Sequence, residues 1–148
     1  MDQNIINSKL LLYKIIIMKK LLLVLALLSI IFAGCNKEEK FDYKLKDLYG
    51  EWHGTDVYAN NKWVNITVYP YTQFAFSIKF YKDGSYYGAG YFGNGEGTYE
   101  AKKSTIYTYV SGREYARYDI KEWNPSNGTA ELIMKMGTSS MPIRVKKK

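Results

Sequence analysis

Phe74, Phe76, Ile78 and Phe80 alternate with Ala75, Ser77, Lys79 and Tyr81, and the run stops at Lys82-Asp83-Gly84-Ser85. Successive side chains leave a strand on opposite sides, so a period of two marks a strand with one buried face. Asp-Gly supplies the positive φ angles of a tight hairpin turn, which sends Ser85 to Phe92 back alongside. The same grammar governs most of the chain after Gly50. Glu51 to Tyr58, Trp63 to Val68, Thr98 to Lys103, Ile106 to Val110, Glu114 to Trp123, Thr129 to Met136 and Met141 to Lys146 read as strands. Val64, Ile66 and Val68 share one face, as do Ala116, Tyr118 and Ile120, and Leu132, Met134 and Met136. Asn94-Gly95-Glu96-Gly97, Ser111-Gly112-Arg113 and Asn124-Pro125-Ser126-Asn127-Gly128 separate them.

Eight or nine short strands at a spacing of ~8–12 residues predict an all-β antiparallel, up-and-down sandwich or barrel, and closure into a small barrel would remove the exposed edges. One brief helix is expected between Asp42 and Tyr49, where Leu45 and Leu48 lie three apart and Asp42 is available as a cap. Gly88, Gly90, Gly93, Gly95 and Gly97 are expected to turn the barrel's corners. No Gly-Lys-Ser/Thr or following helix makes them a phosphate loop.

The amino-terminal part has a different character. Leu21 to Gly34 is apolar or small throughout except for Ser29, and Lys19 and Lys20 precede it. A basic n-region, a short apolar stretch and small residues at its end make a signal peptide. A membrane-spanning helix needs ~20 apolar residues, more than this run provides. Met18 opens a signal of ordinary shape by itself; a long n-region starting at Met1 is the alternative. Phe32-Ala33-Gly34-Cys35 resembles the lipobox of bacterial lipoproteins, with Phe32 in place of the usual aliphatic residue. That resemblance implies cleavage between Gly34 and Cys35, acylation of Cys35 and a membrane anchor. Lys37-Glu38-Glu39 resembles the surface-export signal of Bacteroidetes lipoproteins. The implied location is the outer membrane of a cell envelope, with either leaflet open. Residues 1–34 are thus assigned to a signal helix, 35–47 to a lipidated linker and 48–148 to the barrel.

Removing residues 1–34 leaves 17 basic and 13 acidic residues, a net charge of +4. This is mild for a nucleic-acid binder, which concentrates basic charge on one surface, and no nucleic acid is expected as a partner. Lys146-Lys147-Lys148 reads as a solvated tail. Cys35 is the only cysteine, so no disulfide can brace the domain.

Within the barrel segment, Leu48-Tyr49-Gly50-Glu51-Trp52 resembles the Gly-x-Trp opening of lipocalin-like domains. Phe80-Tyr81-Lys82-Asp83-Gly84-Ser85-Tyr86 is similar to an internal hairpin of that group. Gly97-Thr98-Tyr99 and Trp123 through Asn127-Gly128-Thr129-Ala130-Glu131-Leu132 are similar to its later hairpins. Together these cover roughly Leu48 to Val145 and point to the lipocalin-like lipoproteins of Bacteroidetes. The resemblance implies a calycin-type barrel in which a late arginine packs over the opening tryptophan. Arg144 is the candidate for Trp52, with Arg117 as the alternative.

Catalytic parts are sparse. His53 is the single histidine, and alternation places it opposite Trp52, towards solvent. Three or four ligands make a zinc site, and His53 has no His or Cys partner. No serine triad is visible either. A non-catalytic protein without cofactor or metal is therefore expected. Tyrosine is the abundant residue, 15 in all; it suits strands structurally, and it also lines binding surfaces at small entropic cost. Two functions follow as expectations: a barrel holding a small hydrophobic or aromatic ligand in its mouth or lumen, or a non-catalytic subunit whose aromatic surface meets a protein or glycan. The volume of the barrel interior separates them.

Overall fold

The alternation is realised as nine antiparallel strands: β1 (Gly50–Ala59), β2 (Lys62–Asn65), β3 (Phe76–Phe80), β4 (Ser85–Gly90), β5 (Gly95–Lys102), β6 (Thr105–Val110), β7 (Arg113–Asn124), β8 (Thr129–Met136) and β9 (Ser139–Lys147). A computed structural model describes residues 39–148. The signal segment, its cleavage position and Cys35 lie outside the described residues. β1 and β3 to β9 pair in sequence order, and β9 returns to β1 with Trp52 opposite Lys147 and Val57 opposite Ile143. The result is a closed antiparallel barrel of eight strands. β2 is the extra strand, paired with the end of β1 from Asp56 to Ala59.

β1 serves three neighbours because it bends. Its first half pairs with β3, from Gly50 opposite Phe80 to His53 opposite Ser77, and its second half with β2. A shift in register between Gly54 and Asp56 turns the strand from one partner to the other. Further shifts at Thr108/Tyr109 and Ile120/Glu122 lie on the β6–β7 and β7–β8 pairs.

Period two places the core. Phe76, Ile78 and Phe80 from β3, Ile106 and Thr108 from β6, and Ile143 and Val145 from β9 point inward and are buried. Among the described residues Thr108 is the one buried polar residue, and its hydroxyl donates to the Ala116 carbonyl at 2.8 Å. Neutralising the hydroxyl in this way removes most of the cost of burying it. Tyr107 and Tyr109 take the outer face of β6, as alternation requires.

Three local expectations are corrected. The strand after Trp63 stops at Asn65, whose side-chain oxygen accepts from the Thr67 N–H at 2.8 Å and closes a turn; Ile66 is buried, whereas Val68 is exposed. Phe74 closes a 3₁₀ turn, Tyr71–Phe74, and the strand begins at Phe76. The helix, α1, is a single turn, Leu45–Leu48, with Lys44 at its N-cap and no side-chain cap, so Asp42 does not serve. Asp42 instead donates its backbone N–H to the Lys103 carbonyl. Residues 39–47, assigned to the linker by sequence, pack on the barrel: Phe41 is buried, and Lys103 donates its N–H to the Lys40 carbonyl at 3.0 Å.

Candidate functional site

The two ends of the barrel differ. α1, the β3–β4, β5–β6 and β7–β8 turns and the end of β9 gather at one end and close it. Gly50 and Trp52, singled out in the sequence, meet here. The Trp52 indole N–H donates to the Leu48 carbonyl at 2.8 Å, which locks α1 beneath the first strand. Trp52 lies 5.1 Å from Trp123 in a tilted pair, and Tyr43 packs on Trp123 from outside. Gly50 has φ +113°, and a Cβ there would stand 3.0 Å from the Lys147 side chain.

The cation over Trp52 is Lys147, not Arg144. Lys147 faces Trp52 across the β1–β9 pair, its ammonium sits 5.5 Å from the ring, and it donates to the Asp47 carbonyl at 2.9 Å. Arg144 lies three residues earlier on the opposite face of β9. Its guanidinium stacks at 3.9 Å on Trp63 of β2 and pairs with Glu131 at 3.0 Å on the barrel's outside. Arg117 pairs loosely with Glu114 on the surface, so it does not replace Arg144. His53 projects outward, 3.0 Å from Glu51 on the same face. Among the described residues, no three His, Cys, Asp or Glu side chains gather where a metal could sit.

Between the ends the interior is packed. The enclosed space is about 20 Å³ and wholly apolar, bounded by residues such as Trp52, Phe76, Ile106 and Leu132. A single water needs ~10–15 Å³ on this measure, so the lumen has no room for an organic ligand. Burial pushes the Tyr99 phenol up to about 12, and the Tyr99 hydroxyl donates to the Tyr81 carbonyl at 2.8 Å. Desolvation raises the Tyr118 phenol as well.

The opposite end is open, and here the structure makes a site. The turns after β1, β4 and β8 and the 3₁₀ turn surround two adjoining cavities. One, of about 360 Å³, is lined by Val57, Val64, Tyr71, Phe74, Tyr91 and Met141 among others. The second, of about 530 Å³, shares Tyr91, Phe92 and Met141 and adds Met134 and Met136. Phe74, Tyr91, Phe92 and Phe76 form an edge-to-face chain, with centroids 5.0, 5.2 and 4.9 Å apart, running from the rim into the core. Tyr115 holds the base of the β4–β5 turn by donating to the Phe92 carbonyl at 2.7 Å. Aromatic rings give this rim area with few rotamers to lose, and methionines adapt to irregular shapes.

No protein-family model matches the chain. No curated protein matches it either. The mouth therefore rests on its own geometry. Met134 and Met136 were readable only as sharing a strand face with Leu132, Met141 only as the start of the last strand, and Phe74 only as one more alternating residue. The signal that marks them is position: each lies within a few residues of a turn on the same end of the barrel.

Proposed function

We propose that this chain is a cell-envelope lipoprotein, anchored by acylated Cys35, whose lipocalin-like barrel binds a small hydrophobic or aromatic ligand at its open mouth. The observation that carries the reading is the contrast between a filled interior and two adjoining, mostly apolar hollows open to solvent at the rim, whose polar lining comes from residues such as Asn60, Lys62, Ser139 and Ser140. Ligand sites are commonly concave, mostly apolar and ~300–1,000 Å³, and the mouth fits that description. The mouth is lined mainly by apolar and aromatic side chains, with Lys62, Tyr71 and Tyr91 as its titratable groups and no carboxylate or histidine among its lining residues, and the reading is therefore of a binding protein. The Gly50–Trp52 opening, a turn of helix under the first strand and a closed eight-stranded barrel support the lipocalin-like reading.

The test is a titration of intrinsic fluorescence against apolar and aromatic compounds. Saturable binding is expected. Tyr91→Ala and Phe74→Ala should each weaken it by roughly tenfold, in line with ~1.4 kcal/mol per lost aromatic contact. Binding by no compound class, or binding indifferent to both substitutions, would remove the mouth as the site.

A second reading keeps the anchor and replaces the small ligand with a protein or glycan. It is favoured by tyrosines left exposed around the barrel, Tyr69 at 90% and Tyr91 at 55%, beside an interior too full to hold anything. Tyr69→Ser separates the two, since it touches neither cavity and should impair only a surface contact.

A further inference from the structure

Lysines crowd one end of the barrel. Lys40, Lys44, Lys46, Lys82, Lys121 and Lys146 lie on or next to the closed end, all exposed and none in an ion pair among the described residues. They outnumber the carboxylates there that are likewise outside ion pairs among the described residues, Asp42, Asp47, Asp83 and Glu122. The segments around the mouth, residues 60–75, 91–94, 111–113 and 137–138, carry only Lys62 and Arg113. An apolar side chain sits amid the closed-end charges: Leu45 is 41% exposed, between Lys44 and Lys46 on α1. The chain also arrives at this end. Glu39 pairs with Lys103 there, and Lys40 is tied to the β5–β6 turn by the Lys103 N–H.

We propose that the closed end is a docking face for an anionic lipid surface, with Leu45 and its flanking lysines in the headgroup layer and the mouth turned away. The proposal rests on the lipid-anchor reading of Cys35. Cys35 precedes Glu39 by four residues, and four extended residues span at most ~14 Å. An acyl chain on Cys35 thus keeps Glu39, where the chain enters the lysine-rich end, within about one or two Debye lengths of the bilayer. Basic residues beside a lipid anchor supply the second signal that holds a protein flat against anionic lipid. Exposed lysines around an apolar residue are the composition of a headgroup contact, since ammonium groups meet phosphates while the leucine enters the acyl boundary. Binding at the mouth is then unobstructed by the membrane.

The test uses the full chain purified from membranes and reconstituted in vesicles of phosphatidylcholine, with or without phosphatidylglycerol. Cys35 is the only native cysteine, so once it is acylated a single introduced thiol is the sole labelling site. A fluorophore at Ser126→Cys reports the closed end, and one at Thr138→Cys reports the mouth; a nitroxide on lipid headgroups quenches whichever lies near. In vesicles containing phosphatidylglycerol, strong quenching is expected at position 126 and little at 138. Lys44→Glu, Lys46→Glu and Lys82→Glu together should reduce the signal at 126 to that at 138, with circular dichroism unchanged. Equal quenching of both probes overturns the docking face. So does quenching at 126 that is the same in neutral vesicles and in the triple variant, because the tether alone then sets the orientation. An unmodified mass at Cys35 overturns the anchor reading itself, and it is read by mass spectrometry independently of the quenching.

Discussion

At Gly97 only a hydrogen fits: a Cβ there would lie 2.0 Å from the Tyr109 carbonyl oxygen across the β5–β6 pair. Two residues away on the same strand, Gly95 has nothing within 4 Å. Gly97→Ala should therefore destabilise the barrel by about 1–3 kcal/mol, the usual cost of overpacking. Gly95→Ala should be neutral or slightly stabilising, since alanine costs less backbone entropy than glycine. Urea titration of the two variants checks the contrast. Burial gives Tyr99 a pH dependence whose sign is fixed. Its folded pKa, about 12, lies above the ordinary phenol value of 10.0, so the folded state holds the proton more tightly. The stability this provides is intact below pH ~10 and is lost as pH rises towards the folded value. Tyrosinate absorbance should show late-ionising phenols whose appearance coincides with alkaline unfolding, and Tyr99→Phe should move that unfolding to higher pH.

At the scale of an element, β9 shows how one strand serves two surfaces. Ile143, Val145 and Lys147 face inward, and Arg144 and Lys146 face out. Lys147 is held in the closed end by Trp52 and the Asp47 carbonyl, whereas Arg144 lies in solvent against Trp63 and Glu131. Lys147→Met should cost about 1–2 kcal/mol, from a lost cation–π contact and an unpaired carbonyl under α1. Arg144→Ala should cost no more than ~1 kcal/mol, as exposed pairs generally do. A larger loss at Arg144 than at Lys147 in thermal unfolding would reverse the assignment of which cation supports the opening tryptophan. The sequence located a late basic residue near Trp52, but the parity of the final strand decides which one, and parity depends on the pairing of β9 with β1.

For the molecule as a whole, closure is the decisive feature. The β1–β9 pair buries Val57 against Ile143 and leaves the barrel proper without a free edge. Truncation after Gly137 removes β9 and both its pairings, and should abolish cooperative unfolding by calorimetry instead of merely lowering its temperature. Strand identity, hairpin positions and the shared face of the strands through Ile78, Tyr118 and Met134 were legible from alternation and turn residues, because both are local properties of the backbone. The ends of β2 and β3 were not, since the Asn65 turn and the 3₁₀ turn at Tyr71–Phe74 interrupt a hydrophobic pattern that runs on unbroken. The mouth was not legible either: Val64, Phe74, Tyr91 and Met141 come from four separate segments, and no spacing in the chain announces that they meet. The sequence by itself determined an antiparallel all-β domain with a buried aromatic-aliphatic face, because a period of two leaves no other economical burial. Only the tertiary structure decided that the lumen is full, that the open space lies at the rim and that Lys147 guards Trp52. Those outcomes depend on how volumes from distant strands add together, and no local pattern contains that sum.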